Sequence, residues 1–119
     1  MSLSAYQRAR TMTEHPRSTE VRLLREITGD MMAARDAGMA GVALAPILFR
    51  NRAMWNAFTT DCASRGNQLP VELRASIVSL GLWVELYTSD VATGRDTIDA
   101  LIEVNRSLIE GLQPGRIAA

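Results

Sequence analysis

The chain has 119 residues, and its 13 basic side chains, all arginine, balance 13 acidic ones. A hydrophobic fraction of 47% and a charged fraction of 22% exclude the composition of a disordered chain and indicate a single folded domain spanning residues 1–119. The one cysteine, Cys62, excludes an internal disulfide and a zinc site built from cysteines. The first residues lack the apolar run of a secretory signal, so we expect a cytoplasmic protein. The longest uncharged stretch, 37–49, is too short to span a membrane, which predicts no membrane insertion.

Apolar residues recur at helical spacing along almost the whole chain, and no segment alternates for long enough to predict a strand. The sequence therefore predicts an all-α, single-domain bundle of about five helices, four longer ones and a short one at the N terminus. The predicted helices run from about Ser4 to Thr13, from Pro16–Ser18 to Ala37, from Ala45 or Pro46 to Ser64 or Arg65, from Pro70 to Thr93, and from just after Asp96 to Leu112 or Gln113.

Prolines and glycines set these boundaries. Pro46 and Pro70 suit the first turn of a helix, where the missing N–H costs little. Gly38 and Gly94 suit the position just after a helix. Residues 38–45 are predicted to form the main loop between helices, and the Asp96 carboxylate is placed to cap the last helix.

Two asparagines interrupt otherwise apolar helix faces. Asn51 lies in the middle of the stripe of the third predicted helix, and Asn105 in the middle of the stripe of the fifth. A buried amide must be hydrogen-bonded, so both are predicted to be structural polar residues of the core, with contact to a partner's backbone as the alternative. Trp55 and Trp83 are predicted core anchors, although tryptophan is also common in binding hot spots.

The fourth predicted helix has two apolar faces. One face carries Leu73, Ile77, Leu80, Trp83, Val84, Tyr87 and Val91, and the roughly opposite face carries Val71, Val78, Leu82 and Leu86. Such a helix is either enclosed on every side or offers one face to a partner. Phe49 lies outside the stripe of its own helix, so it either packs against the first helix or is exposed. Val78, Leu82, Leu86 and Phe49 are therefore the candidate partner-binding residues.

The sequence offers little for catalysis. The one histidine, His15, lies in a predicted turn, and Cys62 falls on an apolar stripe with no histidine placed to activate it. Phosphate-binding glycine loops and the common hydrolase and metalloprotease motifs are missing. We expect a protein that is not an enzyme and that uses no cofactor or metal.

Several ordered blocks resemble the bacterial flagellar regulator family FlaF. They include Ser4-Ala5-Tyr6-Gln7-Arg8-Ala9, Pro16-Arg17-x-Thr19-Glu20-x-Arg22-Leu23, Asn51-Arg52-x-Met54-Trp55, Gly66-Asn67-x-Leu69-Pro70, Leu73-Arg74-Ala75-x-Ile77-x-Ser79-Leu80 and Leu101-Ile102-x-Val104-Asn105-Arg106. The resemblance covers nearly the whole chain, and it implies a non-enzymatic cytoplasmic factor needed for flagellin synthesis and export. The implied partners are flagellin and, beside it, the regulator FlbT.

Three functions stay open at this point. In the first, amphipathic helices of unassembled flagellin dock on the face around Val78, Leu82 and Leu86. In the second, the protein acts directly on flagellin messenger RNA through its N-terminal arginines, although a net charge of zero disfavours direct contact with nucleic acid. In the third, the same apolar face binds FlbT or a second copy of the chain.

Overall fold

The computed structural model describes residues 16–64 and 69–112. These residues form four α-helices and one 3-10 helix, and they include no strand. The elements are α1 (Pro16–Asp36), the 3-10 helix (Gly41–Leu44), α2 (Ala45–Ala63), α3 (Val71–Ala92) and α4 (Asp99–Gly111). The all-helical prediction is thus confirmed for the described residues, and the short helix predicted at Ser4–Thr13 lies outside them.

Helices α1 and α3 end as the glycines predict. Gly38 has a φ of 74°, in the left-handed region that a glycine adopts without strain. Its N–H donates to the carbonyl of Arg35 at 3.0 Å, and the N–H of Met39 donates to that of Ala34 at 3.1 Å. This pair of bonds satisfies carbonyls that the end of α1 leaves open, and α3 ends with the same pattern at Gly94.

Two boundaries differ from the predictions. The predicted loop at 38–45 contains the 3-10 helix, because Leu44 is held in the core with 3% of its surface exposed and pulls the approach to α2 inward. The last helix begins at Asp99, and Asp96 does not cap it: its carboxylate accepts from the Thr97 N–H at 2.9 Å. Burial and the adjacent Asp96 raise the pKa of Tyr87 to about 12, and the Tyr87 hydroxyl in turn lowers the pKa of Asp96.

The helices pack as antiparallel neighbours. An ion pair of 3.2 Å joins Arg35 near the end of α1 to Asp99 at the start of α4. Helices α2 and α3 share the most extensive contact in the fold. The core is formed by buried apolar residues of every helix: Leu24, Ile27, Met31, Ala34, Leu44, Ile47, Leu48, Met54, Trp55, Phe58, Cys62, Leu69, Ile77, Val84, Val91, Ile98, Leu101, Ile102, Leu108 and Leu112.

A short hydrogen-bonded chain crosses this core. The Trp55 indole N–H donates to the Asn105 side-chain oxygen at 2.8 Å, and the Asn105 amide N–H₂ donates to the Asn51 side-chain oxygen at 2.8 Å. The same Asn105 nitrogen lies 3.5 Å from the sulfur of Met31. Asn51 and Asn105 are fully buried, so these bonds fix how α1, α2 and α4 fit together.

Helices α2 and α3 approach most closely at a glycine. A Cβ added to Gly81 would overlap the methyl group of Thr59, well inside van der Waals contact. Thr59 cannot rotate away freely, because its hydroxyl donates to the Asn56 carbonyl at 3.0 Å. A mid-helix glycine ordinarily weakens a helix, and here it allows α3 to lie against α2.

We expect the effect of Gly81→Ala on the free energy of unfolding to change sign when Thr59 is also replaced. In the wild-type background it should lower the free energy of unfolding by about 1–3 kcal/mol, because the new methyl group overpacks the contact. In a Thr59→Ser background, which removes the obstructing methyl group and keeps the hydroxyl, the same change should raise stability by about 0.5–1 kcal/mol. Urea unfolding followed by circular dichroism measures both, and the same sign in both backgrounds would contradict the close approach.

We also expect unequal costs for the two core asparagines. Asn105→Ala leaves the Trp55 N–H and the Asn51 oxygen without partners, so it should lower the free energy of unfolding by about 2–4 kcal/mol. Asn51→Ala removes one bond together with an amide nitrogen that has no partner, and should cost about 1 kcal/mol less. Equal losses of unfolding free energy for the two variants, measured by urea unfolding, would show that Asn105 is not the centre of the hydrogen-bonded series.

Candidate functional site

The outer face of α3 carries a continuous row of exposed apolar side chains. Val71, Val78, Leu82 and Leu86 are exposed by 70%, 37%, 67% and 74%. Their successive spacings of seven, four and four residues place them on one side of the helix, and exposed Ala75 lies between Val71 and Val78 on the same side. We call these five residues the α3 stripe. From Val71 to Leu86 it extends ~22 Å, about four helical turns.

The stripe is exposed because α3 is packed from one side. Its buried residues, Ile77, Val84, Thr88 and Val91, lie on the opposite face of the helix and enter the core. No element among residues 16–64 and 69–112 covers the outer face. A helix with two apolar faces was expected either to be enclosed on every side or to leave one face exposed. In the structure, the second apolar face of α3 is exposed.

Phe49 adds an exposed ring near the end of α3 that carries Leu86. It is 72% exposed. The first predicted helix, Ser4–Thr13, against which it could have packed, lies outside the described residues. Arg52, one helical turn along α2, forms an ion pair of 3.4 Å with Glu85 of α3, so this flank of α2 borders α3. Val42 of the 3-10 helix is 86% exposed and was not among the candidate residues. An exposed residue in a short loop-like segment gives no periodic signal, which is why the sequence pattern missed it.

At the other end, the stripe borders a surface groove of about 430 Å³ between α2 and α3. The groove is lined by Cys62, Val71, Arg74, Ala75, Val78 and Ser79. Cys62 is 4% exposed, and burial raises the pKa of its thiol. Arg74 is partly buried, and its Nε atom is buried with no hydrogen-bond partner. Sequence patterns did not single out Arg74, because its lack of a partner exists only in the folded chain.

The remaining predicted site residues are structural. Asn51 and Asn105 bond to each other inside the core, away from the surface. Trp55 is 1% exposed, whereas Trp83 is only partly buried and stacks on Tyr87 with ring centroids 4.6 Å apart. Trp83 is therefore less enclosed than a core anchor, since it lies where α3 meets the surface.

Other surfaces offer less to a partner helix. A larger groove of about 650 Å³ between α1 and α4 is lined mainly by polar groups, including Arg25, Glu103, Arg106 and Glu110. No group of three or more histidine, cysteine or acidic residues placed to hold a metal ion occurs in the described part of the chain. None of the described helices is long and apolar enough to cross a membrane. The α3 stripe, with Phe49 and the Cys62 groove at its ends, is the candidate site.

Because the stripe is exposed, it should contribute little to stability. We expect Leu82→Gln and Leu86→Gln together to change the free energy of unfolding by less than about 1 kcal/mol, since glutamine also favours helix. Ile77→Ala on the buried face of the same helix should cost about 2–4 kcal/mol. Chemical denaturation measures the free energy of unfolding of both variants. A decrease of several kcal/mol, as large as that expected for Ile77→Ala, in the Leu82→Gln and Leu86→Gln pair would mean that the stripe is part of the core.

Comparison with known proteins places this chain in a family. The profile of the family described as flagellar protein FlaF matches residues 2–112, which includes all four helices and the α3 stripe. No curated protein and no solved structure matches the chain. Because the match covers nearly the full length, the chain belongs to the flagellar protein FlaF family.

Proposed function

We propose that this protein binds flagellin and acts as its chaperone, promoting flagellin synthesis and export while a flagellum is assembled. Membership in the FlaF family supports a flagellar role. The single observation that carries the binding proposal is the α3 stripe, which leaves Val71, Leu82 and Leu86 about two-thirds or more exposed on a helix with no cover among the described residues. Such a surface on a soluble domain is typical of a contact site.

The stripe has the geometry that a second helix requires. Apolar residues spaced alternately by three and four positions form the seam by which two helices pack side by side. A helix of about 15 residues would match the ~22 Å length of the stripe. We propose that the stripe binds an amphipathic helical segment of unassembled flagellin, which lies along α3 with its apolar face against the stripe.

Covering such a segment explains a chaperone role. The apolar face of an unassembled helix is prone to self-association, so a partner that covers it keeps the subunit available for export. The activity that the exposed α3 stripe supports is binding. We propose that this binding takes place in the cytoplasm before export.

Direct binding to messenger RNA has less support. Most of the arginines whose side chains are described form ion pairs with acidic residues: Arg35, Arg50, Arg52, Arg95 and Arg106. Paired arginines contribute little to neutralising phosphates, which is the main source of affinity for nucleic acid. These are not the N-terminal arginines that the messenger-RNA alternative invokes, so what chiefly disfavours that alternative is the net charge of zero.

The experiment is a pull-down of flagellin monomer by this protein. We expect Leu82→Gln with Leu86→Gln to weaken binding by about tenfold or more, because two central apolar contacts of the seam are lost. Leu23→Gln is the control: Leu23 is a 42% exposed leucine on α1 and is not part of the stripe, so its change should leave binding intact.

The outcomes separate the proposal from its alternatives. Flagellin binding that is unchanged in the glutamine pair, with both proteins folded by circular dichroism, would eliminate the stripe as the site. A constitutive dimer in light scattering that the glutamine pair converts to monomers would assign the stripe to self-association. Retention of FlbT in place of flagellin, lost in the glutamine pair, would assign it to FlbT.

A further inference from the structure

We propose that the docked helix carries a carboxylate that pairs with Arg74, next to a large apolar side chain that fills the groove above Cys62. This rests on the proposed flagellin complex and specifies its chemistry. The groove lies at the Val71 end of the α3 stripe, and Arg74 lines it together with Val71, Ala75 and Val78. An acidic group and an apolar group on adjacent turns of one helix would occupy this place together.

Arg74 differs from the other arginines on this side of the molecule. Arg50 is bound to Asp30 at 2.9 Å, and Arg52 lies 3.4 Å from Glu85. The backbone N–H of Arg74 donates to the Pro70 carbonyl at 3.0 Å. Its side chain forms no ion pair with residues 16–64 and 69–112, and its Nε atom is shielded from solvent without a hydrogen-bond partner. An arginine always carries its charge and five donors, so a shielded donor without an acceptor is unfavourable in the free protein.

The position of Arg74 relative to the stripe determines which edge of the docked helix must carry the acidic residue. Arg74 follows Val71 by three residues and precedes Val78 by four, so it lies along the edge of the stripe that faces α2. A helix seated on Val71, Ala75 and Val78 would therefore bring its own α2-facing edge over Arg74. A glutamate or aspartate on that edge would be within reach of the guanidinium and would accept from it.

Charge complementarity is the reason for choosing an acidic partner. The guanidinium of Arg74 supplies a positive charge beside the groove, and its Nε donor has no acceptor in the free protein. Partial exclusion of water at this place strengthens an ion pair with a partner. A helix with a basic residue at this position would be repelled, and one with an apolar residue would leave the Nε donor unsatisfied. A neutral amide or hydroxyl could accept from the Nε donor, but without the charge of a carboxylate its hydrogen bond would be weaker. The apolar stripe thus supplies affinity, and Arg74 selects among amphipathic helices.

The test measures affinity of flagellin monomer for Arg74 variants by titration calorimetry. We expect Arg74→Gln to weaken binding about tenfold and Arg74→Glu to weaken it further, because the partner carboxylate then faces a like charge. Arg106→Gln on α4 is the control and should leave affinity unchanged. Arg74→Gln should not lower the urea midpoint, because the Nε donor it removes has no acceptor in the free protein.

Cys62 gives a second measurement at the same place. It is the only cysteine in the chain and lines the groove, so its reaction with a thiol reagent reports whether the groove is covered. With a flagellin that lacks cysteine, saturating amounts should slow the labelling of Cys62 by about fivefold or more at constant pH. The Leu82→Gln and Leu86→Gln pair should abolish this protection.

Two failures are distinguishable. If flagellin binds the wild-type protein and the stripe variants lose binding, while Arg74→Gln and Arg74→Glu bind normally and Cys62 is not protected, the Arg74 pairing is overturned and the proposed function stands. If flagellin does not bind the wild-type protein at all, the proposed function fails and the pairing fails with it.

Discussion

The close approach of α3 to α2 requires a residue without a Cβ at Gly81, where any larger side chain would overlap Thr59. Without a Cβ at Gly81, the two helices come close along one flank, and Trp55 packs beside the contact. The chain of bonds from Trp55 through Asn105 to Asn51 then ties α2 to α4 in the core, with Met31 of α1 beside it. Only one face of α3 packs into the core, and the opposite face remains exposed at the surface.

This division of α3 gives the candidate site a rigid support. The stripe lies on a regular helix whose inner residues, among them Ile77 and Val84, are fully buried, so its side chains keep fixed relative positions. A binding surface that is ordered beforehand loses little conformational freedom when a partner docks. In the proposed complex, the ordering cost falls mainly on the flagellin segment. In that proposed complex, the protein would act as a template on which the segment becomes helical.

Helical periodicity predicted the composition of each face, but not which faces meet. The mid-stripe position of Asn51 and Asn105 was enough to predict buried structural amides, because an isolated buried amide is too costly to retain. Whether the row from Val71 to Leu86 was enclosed depended on the placement of neighbouring helices, which periodicity does not contain. The sequence did not single out Gly81, because its role depends on its contact with Thr59 on another helix. It did not single out Arg74, because only the folded structure shows which arginine donors lack an acceptor.

The extent of the site also constrains how the proposed complex behaves. Four turns of one helix, with a groove at one end and Phe49 at the other, offer less area than a permanent interface buries, and contacts of this size are characteristic of transient complexes. Differences in affinity between related complexes arise mainly from dissociation rates, so a narrow seam favours fast release. A chaperone that must hand its cargo to an export apparatus requires such release. An apolar stripe supplemented by one selective charge meets that need, because it distinguishes among partners without a large buried surface that would hold them.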